Sequence, residues 1–252
     1  MFDRQNYIKS HSPIKKILLK LFKKTDEIVV FDVGACEGEE SIRYKNIFPK
    51  SLIYLFEPLP KNQQLILDNI KKYNLENLKL IPAALSDVNG NTEFYISSGR
   101  PDDIQTNLDW DFGNKSSSLL APQKDNLPKW LNFNEVIKVQ TMTLDFFLKE
   151  NKITNVDFVH MDVQGAELQV LEGAKDKIKN IKAIWLEVSN VELYKNQPLT
   201  DEIELFMKNN DFDLIKSEFS GNSGDQFYLN RRFFKTFSLF KGKIQFNFKR
   251  NK

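Results

Sequence analysis

Four short stretches carry side chains that can do chemistry, and each sits at the end of an apolar run. The first is Asp32-Val33-Gly34-Ala35-Cys36-Glu37-Gly38, which follows Val29-Val30-Phe31. A buried strand, a glycine turn and a helix over 39–48 build a nucleotide cradle at the carboxyl edge of a parallel sheet. Gly34 and Gly38 let the backbone turn sharply and lie against a ligand. The second is Glu57, 25 residues after Asp32 and followed by Pro58. A carboxylate there can accept hydrogen bonds from both hydroxyls of a ribose. The third is Pro82-Ala83-Ala84-Leu85-Ser86-Asp87. Its small and apolar residues would admit a flat adenine ring, with Ser86 or Asp87 near the exocyclic amine. The fourth is His160-Met161-Asp162-Val163-Gln164-Gly165-Ala166-Glu167. Strand alternation puts His160 and Asp162 on one face. Asp162 is expected to act on a ligand, His160 either to act or to pack, and Glu167 to cap or pair locally.

These stretches need elements to hold them. Buried strands are expected over 27–31, 52–56, 78–81, 156–161 and 183–188, and helices over 61–73, 167–175 and 199–209. A short amphipathic helix is expected over 14–22. Residues 92–96 and 136–140 have strand character, and Thr143 is placed to cap a helix through Lys149. Residues 212–219 and 226–230 form a closing antiparallel pair across the turn at 221–224. Strands alternating with helices imply an α/β fold with a mostly parallel, doubly wound sheet. Residues 97–135 show no sustained period, and a loop of that length is expected to be a lid. The domain reading is a basic N-terminal helix at 1–24, a body at 25–230 with the lid inserted, and a basic aromatic tail at 231–252.

The 252 residues, 41% of them hydrophobic, fit one large domain or a domain with an insertion. Cys36 is the lone cysteine, which favours a reducing, cytoplasmic setting. No apolar run approaches the roughly 20 residues that span a bilayer, and the first residues lack the apolar core of a secretory signal. The net charge of +2 hides basic ends. Residues 1–24 carry +6 and residues 231–252 carry +8, which leaves −12 between them. The ends are either solvated or attracted to an anionic membrane surface. Nucleic acid is not expected as a partner, because no RNA-binding motif accompanies the basic ends.

In order along the chain, Phe31-Asp32-Val33-Gly34-Ala35, Gly38, Phe56-Glu57-Pro58, Ala84-Leu85-Ser86-Asp87, Gly90 and Asp162-Val163-Gln164-Gly165-Ala166-Glu167 resemble class I methyltransferases. With the trailing Val170-Leu171-Glu172-Gly173-Ala174 and the later Leu186-Glu187-Val188, the resemblance narrows to the FkbM family. It implies a Rossmann-like seven-stranded sheet, S-adenosylmethionine as cofactor, and methyl transfer to a hydroxyl on a sugar, glycan, lipid or secondary metabolite. Asp32 would fix the first loop, Gly34, Ala35 and Gly38 would face the methionine part, and Glu57 and Pro58 the ribose. Ala84, Leu85 and Ser86 would face the base. Asp162, at the cofactor, or His160 would be the general base. Ala35 replaces a glycine found in many methyltransferases, and His160 stands where the family commonly has lysine. Ser117 and Ser118 lie in a serine run resembling one in the family's insert, and with Glu187 and Asn190 would face the acceptor. Trp110 and Trp130 would stack on a sugar or anchor the lid. A less favoured variant has Mg²⁺ held by Asp162 and Glu187.

Two other classes compete. A nicotinamide-dependent dehydrogenase shares the acid after a glycine turn, but the spacing here is not G-x-G-x-x-G and no second dinucleotide half follows. A catalytically degenerate module could instead dock on a membrane or a partner through the tail. There Phe233, Phe234, Phe237, Phe240, Phe246 and Phe248 interleave with basic residues.

Overall fold

The computed structural model describes residues 4–101 and 112–234, with the backbone of two further strands at 237–240 and 243–246. Trp110, Phe248 and the side chains of Phe237, Phe240 and Phe246 lie outside the described residues, as does the part of the expected lid at 102–111. Among the described residues no helix is long and apolar enough to cross a membrane.

The main sheet has seven strands. The first three are β1 (Val29–Val33), β2 (Leu52–Phe56) and β3 (Leu78–Ile81). After the smaller strands β4 (Ala84–Leu85), β5 (Gly90–Ser98) and β6 (Asn132–Met142) come β7 (Val156–Met161), β8 (Ile181–Ser189), β9 (Phe212–Ser220) and β10 (Ser223–Asn230). The sheet order is β3-β2-β1-β7-β8-β10-β9. Strands β3 to β8 of that order run parallel, and β10 is antiparallel to both of its neighbours. The central strands are nearly continuous apolar runs because both faces are covered. One face packs Phe147, Leu171 and Met207 from α5 (Leu144–Glu150), α6 (Glu167–Gly173) and α7 (Thr200–Asn209). The other packs Leu18, Tyr44 and Ile66 from α2 (Lys15–Leu21), α3 (Glu39–Ile47) and α4 (Pro60–Lys72). Strand order reverses at β1, which pairs with β2 on one side and β7 on the other. That switch point opens a crevice at the strands' carboxyl ends.

Several elements depart from their expected bounds. β1 begins two residues later and takes in Asp32, which stands beside His160 of β7 and has a fully buried side chain. Ala84 and Leu85, expected in a turn, are strand β4 and pair in parallel with Thr141 and Met142. With the long β5–β6 hairpin they make a three-stranded second sheet. That hairpin also narrows the expected lid, because β5 runs to Ser98 and β6 starts at Asn132. A 3-10 turn at Phe112–Ser116 lies between them, and Ser118 bridges to Tyr95. Helix α6 stops at Gly173, short of the expected 175. The Thr143 cap forms as expected, its side chain accepting from the Phe146 N–H.

The N-terminal residues join the same body. Ile14 and Leu18 of the α2 region are fully buried on the β1–β2 face. A further helix, α1 (Arg4–Lys9), lies on α3. Arg4 pairs with Glu37 and Glu39, Tyr7 bonds Glu40, and the Arg43 guanidinium sits 4.5 Å over the Tyr7 ring.

Candidate functional site

At the switch point the β1–α3 turn doubles back on β2. The Gly34 and Ala35 N–H groups both donate to the Phe56 carbonyl at 3.1 Å. Gly34 has φ +80°, and a Cβ there would lie 1.9 Å from the Asp162 carbonyl oxygen, so only glycine fits. The turn therefore locks the ends of β1, β2 and β7 together and leaves a cleft with two lobes above them.

The first lobe sets the apolar Leu59, Ala84, Leu85 and Phe94 beside the buried Asn62, Asn114 and one buried acid, Glu57. Glu57 closes β2, and each of its carboxylate oxygens accepts a backbone N–H at 2.8 Å, from Cys36 and from Leu59. Burial pushes its pKa up to about 8, against the opposing pull of the Leu59, Cys36 and Asn62 hydrogen bonds. Each carboxylate oxygen can accept more than one hydrogen bond. A buried acceptor pair beside a flat apolar slot suits the hydroxyls and base of a nucleoside.

The second lobe is acidic. Asp32, Glu39, Glu40 and Asp162 line it with His160, Lys115 and, from α1, Tyr7. Gly34, Cys36, Lys115 and Asp162 border both lobes. Asp32 accepts from the Ser41 hydroxyl at 2.6 Å and meets His160 Nδ1 at 3.0 Å. Burial alone would lower the His160 pKa, but the Asp32 hydrogen bond and charge outweigh it and raise it to about 9. An imidazolium at neutral pH has no lone pair to take a proton. Of the two expectations for His160, to act or to pack, the bond to Asp32 favours the second, with His160 as a charged partner that holds Asp32. The pair's stabilising effect is complete below about pH 6.5, the unfolded value, and is lost as pH rises through 9. Thermal melts of wild type and His160→Gln should differ most near pH 6 and converge by about pH 10. A difference that stays constant over that range would contradict the assignment.

Asp162 sits where β7 ends. Its N–H donates to the Val33 carbonyl at 3.0 Å. Asp162, Glu167 and Glu187 each bring one oxygen within 4.8 Å of the others. The Gln164 side-chain amide donates to Asp162 at 2.6 Å and Glu187 at 2.8 Å. Glu167 accepts the Val163 N–H at 3.0 Å, in keeping with local pairing. Burial, then the nearby Asp162 charge, raises the Glu187 pKa well above the ordinary range, and burial raises that of Glu167 to about 7.

The other expected site residues divide. Pro58, Ala84, Leu85 and Ser117 line the first lobe, and Ala35 the second. Gly38, Ser86, Ser118, Glu187 and Asn190 line neither. Gly38 starts α3 with φ +81° and packs on Leu55 and Ile66. The Ser86 hydroxyl donates to Asp87. Ser118 is fully buried and donates to the Gln164 carbonyl at 2.7 Å. Asn190 is exposed, with its side-chain oxygen taken by Thr200 at 2.8 Å. For Ser118 and Asn190 the expected contact with an acceptor is thus replaced by structural bonds. Sequence reasoning overlooked Asn62, Asn114 and Lys115 as lining residues, and Tyr7 and Tyr194 near the site. Asn114 donates to Asn62 at 2.6 Å, and Lys115 lies 3.3 Å from Glu39, so the irregular segment reaches over the cleft. Only the adjacency of Gln164 to the Asp162 motif was visible beforehand.

Residues 32–214 match the family model for the methyltransferase FkbM domain. The chain is 30% identical to 2-O-methyltransferase NoeI of Sinorhizobium fredii, over 87% of this chain and 86% of that protein. Among solved structures it is similar to M. capricolum TrmK in complex with S-adenosyl-homocysteine. That match has TM-score 0.46 and 12% identity and covers 87% of this chain and 68% of that one. It is also similar to precorrin-6y C5,15-methyltransferase from Geobacter metallireducens, with TM-score 0.43 and 15% identity over 87% and 92% of the two chains. The matched span runs from Asp32 past Glu187 and so contains both lobes except for the α1 wall, and the chain belongs to the methyltransferase FkbM domain family.

Proposed function

We propose that the enzyme methylates a hydroxyl group of a carbohydrate. The observation that carries this reading is the placement of Asp162 at the border of the two lobes, one suited to a nucleoside and one rich in carboxylates. The residues present fit the cofactor. Glu57 would hold the ribose hydroxyls, and Leu59, Ala84, Leu85 and Phe94 would enclose the base. The carboxylates of Glu39, Glu40 and Asp162 would face the cationic end. Bound S-adenosylmethionine supplies an electrophilic methyl group on a sulfonium. The protein's part is alignment, which can supply much of the acceleration, and removal of the hydroxyl proton. Asp162 takes that proton. Asp32, held by Ser41 and His160, steadies the end of β1. Hydroxyl donors find many acceptors in the acidic lobe, and the relative named as a 2-O-methyltransferase supports oxygen as the nucleophile. The oxygens of Asp162, Glu167 and Glu187 also suit Mg²⁺, which would have to displace the Gln164 amide from two of them.

The test is transfer of labelled methyl from S-adenosylmethionine to a panel of methyl glycosides, phenols and carboxylic acids. Label should enter a glycoside hydroxyl. Label confined to the phenols or acids, or absent throughout, would overturn the carbohydrate assignment.

A further inference from the structure

Gln164 holds a backbone conformation that a side chain rarely adopts, with φ +56°, and is followed by Gly165 at φ +96°. Such strain persists only where the surroundings over-determine it. Here both ends of the side chain are engaged. The amide nitrogen faces Asp162 at 2.6 Å and Glu187 at 2.8 Å, with one hydrogen for each. The amide oxygen faces the Tyr194 hydroxyl at 2.9 Å. That hydroxyl also lies 2.7 Å from the Ser116 carbonyl, and the Gln164 carbonyl accepts from Ser118. One glutamine thus joins the Asp162 carboxylate, a second carboxylate and the segment over the cleft.

We propose that Gln164 is a positioning residue, whose amide, fixed by Tyr194, aims the Asp162 carboxylate at the acceptor hydroxyl and holds Glu187 away from it. The effect on turnover rests on the proposed role of Asp162; the geometry does not. The shape of the network also predicts which part matters. A donor is needed between two acceptors, so filling the space without a donor is not enough.

Gln164→Leu keeps the bulk and removes both donors. It should lower kcat about tenfold, with KM for S-adenosylmethionine and for the best methyl glycoside within about twofold of wild type. Gln164→Glu, which places a third carboxyl against the other two, should lower kcat at least as much. Tyr194→Phe, a gentle change that guards against misfolding, should lower kcat a few-fold with the same unchanged KM values. A crystal structure of Gln164→Leu should show the Asp162 side chain turned from its wild-type position. Unchanged kcat, or a loss of kcat matched by an equal loss of S-adenosylhomocysteine binding and melting temperature, would overturn the proposal. If the wild-type enzyme methylates no glycoside, the carbohydrate assignment fails, and the Asp162 position in that crystal structure still decides this one: an unmoved carboxylate overturns it.

Discussion

Replacing Asp162 with asparagine should lower kcat by about 10² to 10⁴-fold while S-adenosylhomocysteine binds within about threefold of wild type. The separation follows from what holds this residue in place. Its backbone N–H is bonded to Val33, and its carbonyl lies under Gly34, where a Cβ would come within 1.9 Å. The β1–β7 junction is therefore set by the main chain, and asparagine leaves it intact. What asparagine removes is the proposed proton acceptor at the border of the two lobes. Single-turnover methyl transfer beside calorimetric binding measures both halves. Wild-type turnover in the variant would remove Asp162 from the chemistry, and loss of binding equal to the loss of turnover would make it a cofactor residue alone.

Glu57→Ala should act the opposite way and weaken S-adenosylhomocysteine binding at least about 100-fold. Hydrogen bonds to a charged acceptor contribute roughly 1.5–3 kcal/mol each, and about 1.4 kcal/mol is tenfold in affinity. Two ribose hydroxyls reach that total, and the variant also frees the Cys36 and Leu59 N–H groups. A pH signature accompanies the loss. With a pKa raised from 4.5 to about 8, Glu57 keeps a proton in the empty fold that the unfolded chain has already released. Its contribution to stability therefore falls as pH rises between those values. Ribose hydroxyls favour the ionised form, so binding near pH 7 should release close to one proton, and affinity should rise with pH and level off above about 8. Titration in buffers of different ionisation enthalpy reads this directly. Glu57→Gln should abolish the proton release. Equal release from wild type and Glu57→Gln would place the titrating group elsewhere.

The parallel core was plain in the sequence because buried strands are short apolar runs with sharp ends. β2, β3 and β7 have the bounds expected of them. β1 was harder, since an acid ordinarily ends such a run. Asp32 continues the strand because Ser41 and His160, distant in sequence, supply its partners. Ala84-Leu85 resembled a turn for a similar reason, its strand partner being Thr141-Met142. Helix α1 has almost no local signal and depends on contacts between Arg4 and Tyr7 and the acids of α3 and its preceding turn.

The site divides along the same line. That Gly34, Glu57 and Asp162 would line the cleft was legible because a switch point opens its crevice at strand ends. Asn190 also follows a strand end, yet Thr200 occupies its side-chain oxygen. Ser118 lies in the expected serine run, but its hydroxyl turns to the Gln164 carbonyl rather than the cleft. Asn114 and Lys115 come from a segment with no periodicity, so nothing local marks them as cleft residues.

The central claim is that the Glu57 lobe holds the adenosyl group of S-adenosylmethionine. Calorimetric titration of the full chain with S-adenosylhomocysteine and, separately, with NAD⁺ tests it most directly. The account predicts one site per chain for S-adenosylhomocysteine, severely weakened in Glu57→Ala, and no comparable response to NAD⁺. Tight NAD⁺ binding with no response to S-adenosylhomocysteine would contradict it.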